Sequence, residues 1–215
     1  MAIWGDLVRS LIAGPKLTLS FNKRSDFNVW LNGQGSLKTH FYHFLVENSR
    51  RWTPATKAQV LLLSIHRQDQ HGQFPRDPMV STMQFTWQFP NTPDHEKMPT
   101  LRSSRLCDLG CMPERGNFEL SVYRPIPFNF HRFIEPNQIV RIVVVAEAEN
   151  SVSNDLAIEI HWNGTWAENP ADMDRHLKIR TILSKEWNWK KEPLGPQPKF
   201  NTAPVSPQSS SQGGL

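Results

Sequence analysis

Apolar residues change their spacing once along this chain, and early. In the stretch MAIWGDLVRSLIA, residues Ile3, Trp4, Leu7, Val8, Leu11 and Ile12 fall on one helical face, with Asp6, Arg9 and Ser10 on the other. This 3.6-residue repeat predicts a short amphipathic helix over residues 1–14, stopped by Gly14-Pro15. From Lys16 the repeat becomes two. KLTLSF (16–21), LKTHFYHFLVEN (37–48), QVLLLSI (59–65), MQFTWQF (83–89), FELSVY (118–123), IVRIVVVAEAE (139–149), LAIEIHW (156–162) and HLKIRTI (176–182) read as about eight strands. Turn residues separate them, as at Asn32-Gly33 and Asn163-Gly164, and no strand–helix–strand rhythm supports a parallel sheet. Two long connections, 66–82 and 90–117, interrupt the series. One further helix is expected at 170–176, with Asn169 as cap and Pro170 in the first turn.

Within 139–149, Ile142, Val144 and Ala146 face one way and Arg141, Val143, Val145 and Glu147 the other. Leu156, Ile158, Ile160 and Trp162 repeat the apolar face while Glu159 and His161 point away. Such alternation predicts two antiparallel sheets packed face to face. The expected domain is an all-β sandwich spanning 16–183. From Pro193 onward Pro, Ser, Gln and Gly dominate and periodicity is lost, so 193–215 is expected to be a disordered tail.

One pattern occurs twice. FLVENSRRWTPATKAQVLLLSI (44–65) and VVVAEAENSVSNDLAIEIHW (143–162) both run apolar strand, Glu-Asn-Ser, polar stretch, apolar strand. Asparagine tolerates left-handed backbone angles and hydrogen-bonds nearby main chain, so each copy is expected to be an antiparallel hairpin with a polar tip. This pattern, over 41–65 and 139–162, resembles hairpins of bacterial immunoglobulin-like and fibronectin-type β-sandwich domains. The resemblance implies an immunoglobulin-like fold and nothing more. Loops 66–82 and 90–117 depart from it as long insertions.

Composition adds bounds. Among 215 residues, 38% are apolar and 20% charged, enough for a core. No apolar run reaches the ~18 residues of a membrane span, and no secretory signal opens the chain, so the plain expectation is a cytoplasmic protein, membrane-peripheral if the helix docks on lipid. Net charge is +4, with seven Lys/Arg against three Asp/Glu in 1–51, thirteen against fifteen in 52–183, and four against two in 184–215. The positive excess sits at the ends. A dedicated nucleic-acid binder usually carries it as a stripe on a folded face.

Few residues invite chemistry. Cys107 and Cys111 are spaced as neither a disulfide framework nor a zinc site, leaving a buried or idle thiol pair, or a redox pair. His40 and His43 fall on opposite faces of one strand and cannot share an ion; His66, His71 and His95 lie in polar loops. No nucleophile elbow, phosphate loop or dinucleotide fingerprint is present. No catalytic residue, metal or cofactor is therefore expected. Asn163-Gly164-Thr165 fits a tight Asn-Gly hairpin turn better than a glycosylation site. Two groups remain as binding candidates: the stripe Trp4, Leu7, Val8 and Leu11, and the aromatic, basic element Trp187, Trp189, Lys190 and Lys191. The leading expectation is a non-enzymatic interaction module with a protein partner, through a sheet edge, the long loops or the helix. The alternatives are nucleic-acid binding through the basic aromatic ends and peripheral membrane association through the helix.

Overall fold

A computed structural model of the chain describes residues 14–32, 35–78, 81–87, 99–123, 126–127 and 130–195. Residues 1–13, where the amphipathic helix was expected, and 196–215 of the expected tail lie outside them. Two antiparallel sheets form, an all-β arrangement compatible with a β-sandwich. The first sheet runs in the order β1 (Leu17–Asn32), β2 (Gly35–Asn48), β5 (Ser104–Pro113), β6 (Phe118–Leu120), β7 (Phe133–Ile134). The second runs β11 (Leu177–Ile182), β10 (Leu156–Trp162), β8 (Ile139–Ala148), β3 (Gln59–Arg67), β4 (Met83–Gln84), with β9 (Ser151–Val152) paired to β8.

The expected alternation holds. Ile142, Val144, Ala146, Ile158, Ile160 and Trp162 are buried in one core together with Tyr42, Phe44 and Val46 of the facing sheet. Phe44 meets Phe85 edge-on at 5.3 Å, and Tyr42 meets Phe118 at 5.8 Å; burying each such ring contributes about 1.5–3 kcal/mol. Helix α1 (Pro170–His176) also follows expectation: the Asn169 side chain accepts a hydrogen bond from the Ala171 amide, and Pro170 sits in the first turn.

Three expectations are corrected. Residues 44–65 are not a hairpin, because β2 and β3 belong to different sheets. The connection crosses between layers, and only the second copy, β8 to β10, joins strands that pair. The insertion 90–117 contains β5, a strand flanked by β2 and β6 in the first sheet. Its apolar residues lie on both faces, Asp108 is buried against His43 and Arg105 is half-buried, so period two is hidden. Asn163-Gly164 does not close a two-residue hairpin; its side-chain oxygen accepts from the Thr165 amide, starting the longer β10–α1–β11 connection. Of the range 193–215, residues 193–195 are described: the Arg76 amide donates to the Pro193 carbonyl, and the Gly195 amide to the Arg76 carbonyl.

Residues 83–87 belong to both layers. Leu62 pairs with Met83 in the second sheet. In the first, Trp87 pairs with Cys107 and Phe85 with Val122. One side of the sandwich is thereby closed, and the opposite side, between edge strands β1 and β11, has no such link among the described residues. At one pole the two Glu-Asn-Ser turns meet. Asn48 is wholly buried there; its Oδ1 accepts from the Lys16 and Arg50 amides, and its Nδ2 donates to the Thr53 and Leu101 carbonyls. Asn150 is exposed and donates once, to Pro54, at 3.3 Å.

Candidate functional site

Two irregularities in the first sheet converge on one residue. The β1–β2 register shifts between Asn22 and Asp26, and the β2–β5 register shifts between Tyr42 and His43, where Leu109 is the extra residue. These bulges aim Asp26 and Asp108 at the two nitrogens of His43, which is 2% exposed. Nδ1 donates to Asp108 at 2.8 Å, and the protonated Nε2 to Asp26 at 3.1 Å. Burial works against a charge on this ring. The hydrogen bonds and charges of Asp108 and Asp26 outweigh it and hold the imidazole above its ordinary pKa. Both nitrogens are occupied by carboxylates and neither touches a nucleophile, so the group pins two bulges.

His66 is the opposite case. It is wholly buried; its Nδ1 donates to the Phe74 carbonyl and its Nε2 accepts from the Ser64 hydroxyl. Both bonds suit the neutral ring. Burial lowers its pKa further than the Phe74 bond restores it.

The two histidines therefore give pH dependences of opposite sign. His43 has a raised folded pKa, so its contribution is complete below the unfolded value of about 6.5 and is lost as pH rises through the folded value. His66 has a lowered one, so its contribution is complete above about 6.5 and is lost as pH falls through the folded value. Urea midpoints measured from pH 5 to 9 should show Asp108→Asn flattening the alkaline decline while leaving the acid one. An alkaline decline that survives in Asp108→Asn would remove His43 as its source.

The thiols stand apart. Cys107 lies opposite Phe44 on the core face, its Sγ–H donating to Thr86, whereas Cys111 lies opposite Phe41 on the other face. They cannot form a redox pair. Burial raises the Cys107 thiol well above its usual range and pushes Cys111 up to about 12, so neither supplies thiolate near neutral pH. Among the described residues no group of three His, Cys, Asp or Glu side chains is arranged to hold a metal ion.

The aromatic, basic element is seated on the second sheet. Trp187 is 6% exposed and packs with Val143 and Ile182 on that sheet's outer face. Its indole N–H donates to Glu192, and its ring meets His66 edge-on at 4.8 Å. A ring so enclosed offers no face to a base. Trp189 is half-buried beside it, and Lys190 and Lys191 are exposed. Trp4, Leu7, Val8 and Leu11 lie outside the described residues, so the two candidate groups cannot be joined into one surface.

A cleft of about 540 Å³ lies on the side of the sandwich without a linking segment. Phe21 and Tyr42 line one wall; Asp174 of α1 and five successive β11 residues, Leu177 to Thr181, line the other. Tyr42 is 2% exposed, and its hydroxyl, itself buried, has no hydrogen-bond partner among the described residues. Burial, and then the charge of Asp174, raise its pKa, so the hydroxyl keeps its proton. Leu177, Ile179 and Thr181 stand opposite Trp162, Ile160 and Ile158 and so turn toward the core side, while Lys178 and Arg180 are exposed. Arg180 is held by Glu159 and Glu186. Sequence reasoning missed this site. The available signal was a tyrosine, one of two in the chain, inside the core run FYHF, where a phenol needs a partner.

Compared with protein-family models, curated proteins and solved structures, the chain matches none.

Proposed function

We propose that this chain is a non-enzymatic β-sandwich interaction module that receives an extended peptide along β11, in the cleft facing β1. The observation that carries this is Tyr42, which lines the cleft and whose buried hydroxyl has no hydrogen-bond partner among the described residues. Leaving such a group unpaired costs about 1–3 kcal/mol, and a peptide carbonyl that displaces the cover over the hydroxyl as it seats would relieve that cost. β11 is an edge strand, so its outward backbone groups suit strand addition, and Ile179 and Phe21 suit an apolar side chain. Lys178 and Arg180 guard the same edge against indiscriminate pairing. The likeness to immunoglobulin-like and fibronectin-type domains contributes only this architecture of paired antiparallel sheets.

The test is Tyr42→Phe with peptides selected by display against the folded chain. The variant should be about 1 kcal/mol more stable to urea, because the unpaired hydroxyl is gone. Its affinity for the selected peptides should fall up to about tenfold, and those peptides should protect β11 amides from hydrogen exchange. Peptides that bind Tyr42→Phe undiminished, or leave β11 exchange unaltered, would overturn the proposal.

A further inference from the structure

The pole where the two Glu-Asn-Ser turns meet is a second surface, distant in kind from the peptide cleft. Trp52, at the tip of the 49–58 connection, is 76% exposed, and Val152 is 63% exposed. Lys16, Arg51 and Arg102 are exposed around them, and none has an ion-pair partner among the described residues. Backbone bonds fasten these segments together: the Ser49 amide donates to Lys16, and Ala55 pairs with Leu101 next to Arg102. Lys57 also lies here, bound to Glu149; Glu47 is exposed nearby. The cations Lys16, Arg50, Arg51, Lys57 and Arg102 outnumber the acids Glu47, Glu147 and Glu149.

Gly14, which follows the first thirteen residues in sequence, lies at this same pole, where Arg50 donates to its carbonyl. Their sequence carries the stripe Trp4, Leu7, Val8 and Leu11. An exposed tryptophan near Lys16, Arg51 and Arg102, which have no ion-pair partner among the described residues, beside the attachment point of an amphipathic sequence, combines the two attractions of an anionic bilayer surface: charge for the headgroups and an indole for the interface. A membrane also needs no shaped pocket, and Trp52 stands at the tip of a turn.

We infer that this pole docks on anionic lipid bilayers, with Trp52 entering the interface and Lys16, Arg51 and Arg102 contacting headgroups. The experiment is co-sedimentation of the full chain with vesicles of phosphatidylcholine alone and with about one-third phosphatidylserine. Binding should require phosphatidylserine and weaken with salt, since screening acts over about 8–10 Å. Removing Lys16, Arg51 and Arg102 together as alanines should lower vesicle affinity about a hundredfold, at roughly fivefold per cation. Trp52→Ala should lower it severalfold and, with brominated lipids, should remove part of the tryptophan quenching. These residues are exposed, so unchanged urea midpoints will show that the variants fold.

Four outcomes would overturn the inference: no vesicle binding, equal binding to neutral vesicles, unchanged binding in both variants, or binding abolished by Leu7→Asp with Trp52→Ala inert. Capture on immobilised acidic peptide without vesicle binding would assign the pole to a protein partner and overturn it equally. Tyr42→Phe should leave vesicle binding unchanged, so this surface and the peptide cleft stand or fall separately.

Discussion

Replacing Asn48 with alanine is expected to destabilise the fold by about 3 kcal/mol, whereas the same change at Asn150 should stay within about 0.5 kcal/mol. The two asparagines occupy matching places in a doubled sequence, so local turn propensity predicts equal losses. Their surroundings do not. Asn48 is wholly buried, and its amide serves four main-chain groups: the amides of Lys16 and Arg50 and the carbonyls of Thr53 and Leu101. Alanine leaves these groups short of partners in a site that water reaches poorly. Asn150 makes one long bond at the surface. Asn48→Asp separates the contributions further, because it keeps the two accepted bonds, loses the two donated ones and turns a carboxylate toward two carbonyls; it should be at least as damaging as alanine. Urea denaturation of the three variants decides the matter, and equal midpoints for Asn48→Ala and Asn150→Ala would refute the role given to Asn48.

Gly110→Ala is expected to cost about 3 kcal/mol, at the upper end of ordinary overpacking. A Cβ at this position would stand 2.5 Å from the Glu119 carbonyl oxygen and 2.7 Å from the Phe118 ring. Phe118 is wholly buried against Tyr42, and Glu119 is paired with Cys111 across the β5–β6 ladder, so neither neighbour can withdraw without breaking packing or pairing. Phe118→Leu in the same chain should recover only part of the loss, since the carbonyl contact persists. An urea midpoint for Gly110→Ala equal to that of the parent would show that β6 can shift. Its proximity to Tyr42 bears on the proposed function: a displaced Phe118 would turn the phenol and weaken the proposed peptide binding along β11.

The sequence carried the parts of the fold that depend on one strand or one cap. Ile142, Val144, Ile158 and Ile160 announce their buried face by alternation, and Asn169-Pro170 announces a helix start by the chemistry of two adjacent residues. What it concealed depends on remote partners. Asp108 looks like a loop residue until His43 is placed beside it, and Arg105 looks solvated although its guanidinium lies 5.6 Å from the Trp87 ring centroid; together they hid β5. The crossing from β2 to β3 was unreadable for the same reason, because Asn48 would serve a hairpin equally well and only Leu101 and Ser103, some fifty residues on, decide otherwise. The cleft required knowing which strands are edges, a property of sheet order that no local pattern encodes. Trp187, by contrast, was visible as unusual, but its burial against His66 and Val143 was not.

The pairing of β3 with β8 sets a schedule for synthesis. Ile65 meets Ile142 across roughly eighty residues of intervening chain. At about 5–20 residues per second, VLLLSI leaves the ribosome several seconds before the strand that covers it, and β4 offers it only a two-residue partner in the meantime. During that interval the nascent chain displays the apolar run VLLLSI unprotected, which makes this segment the expected binding site for chaperones and the place where aggregation starts when production outruns folding.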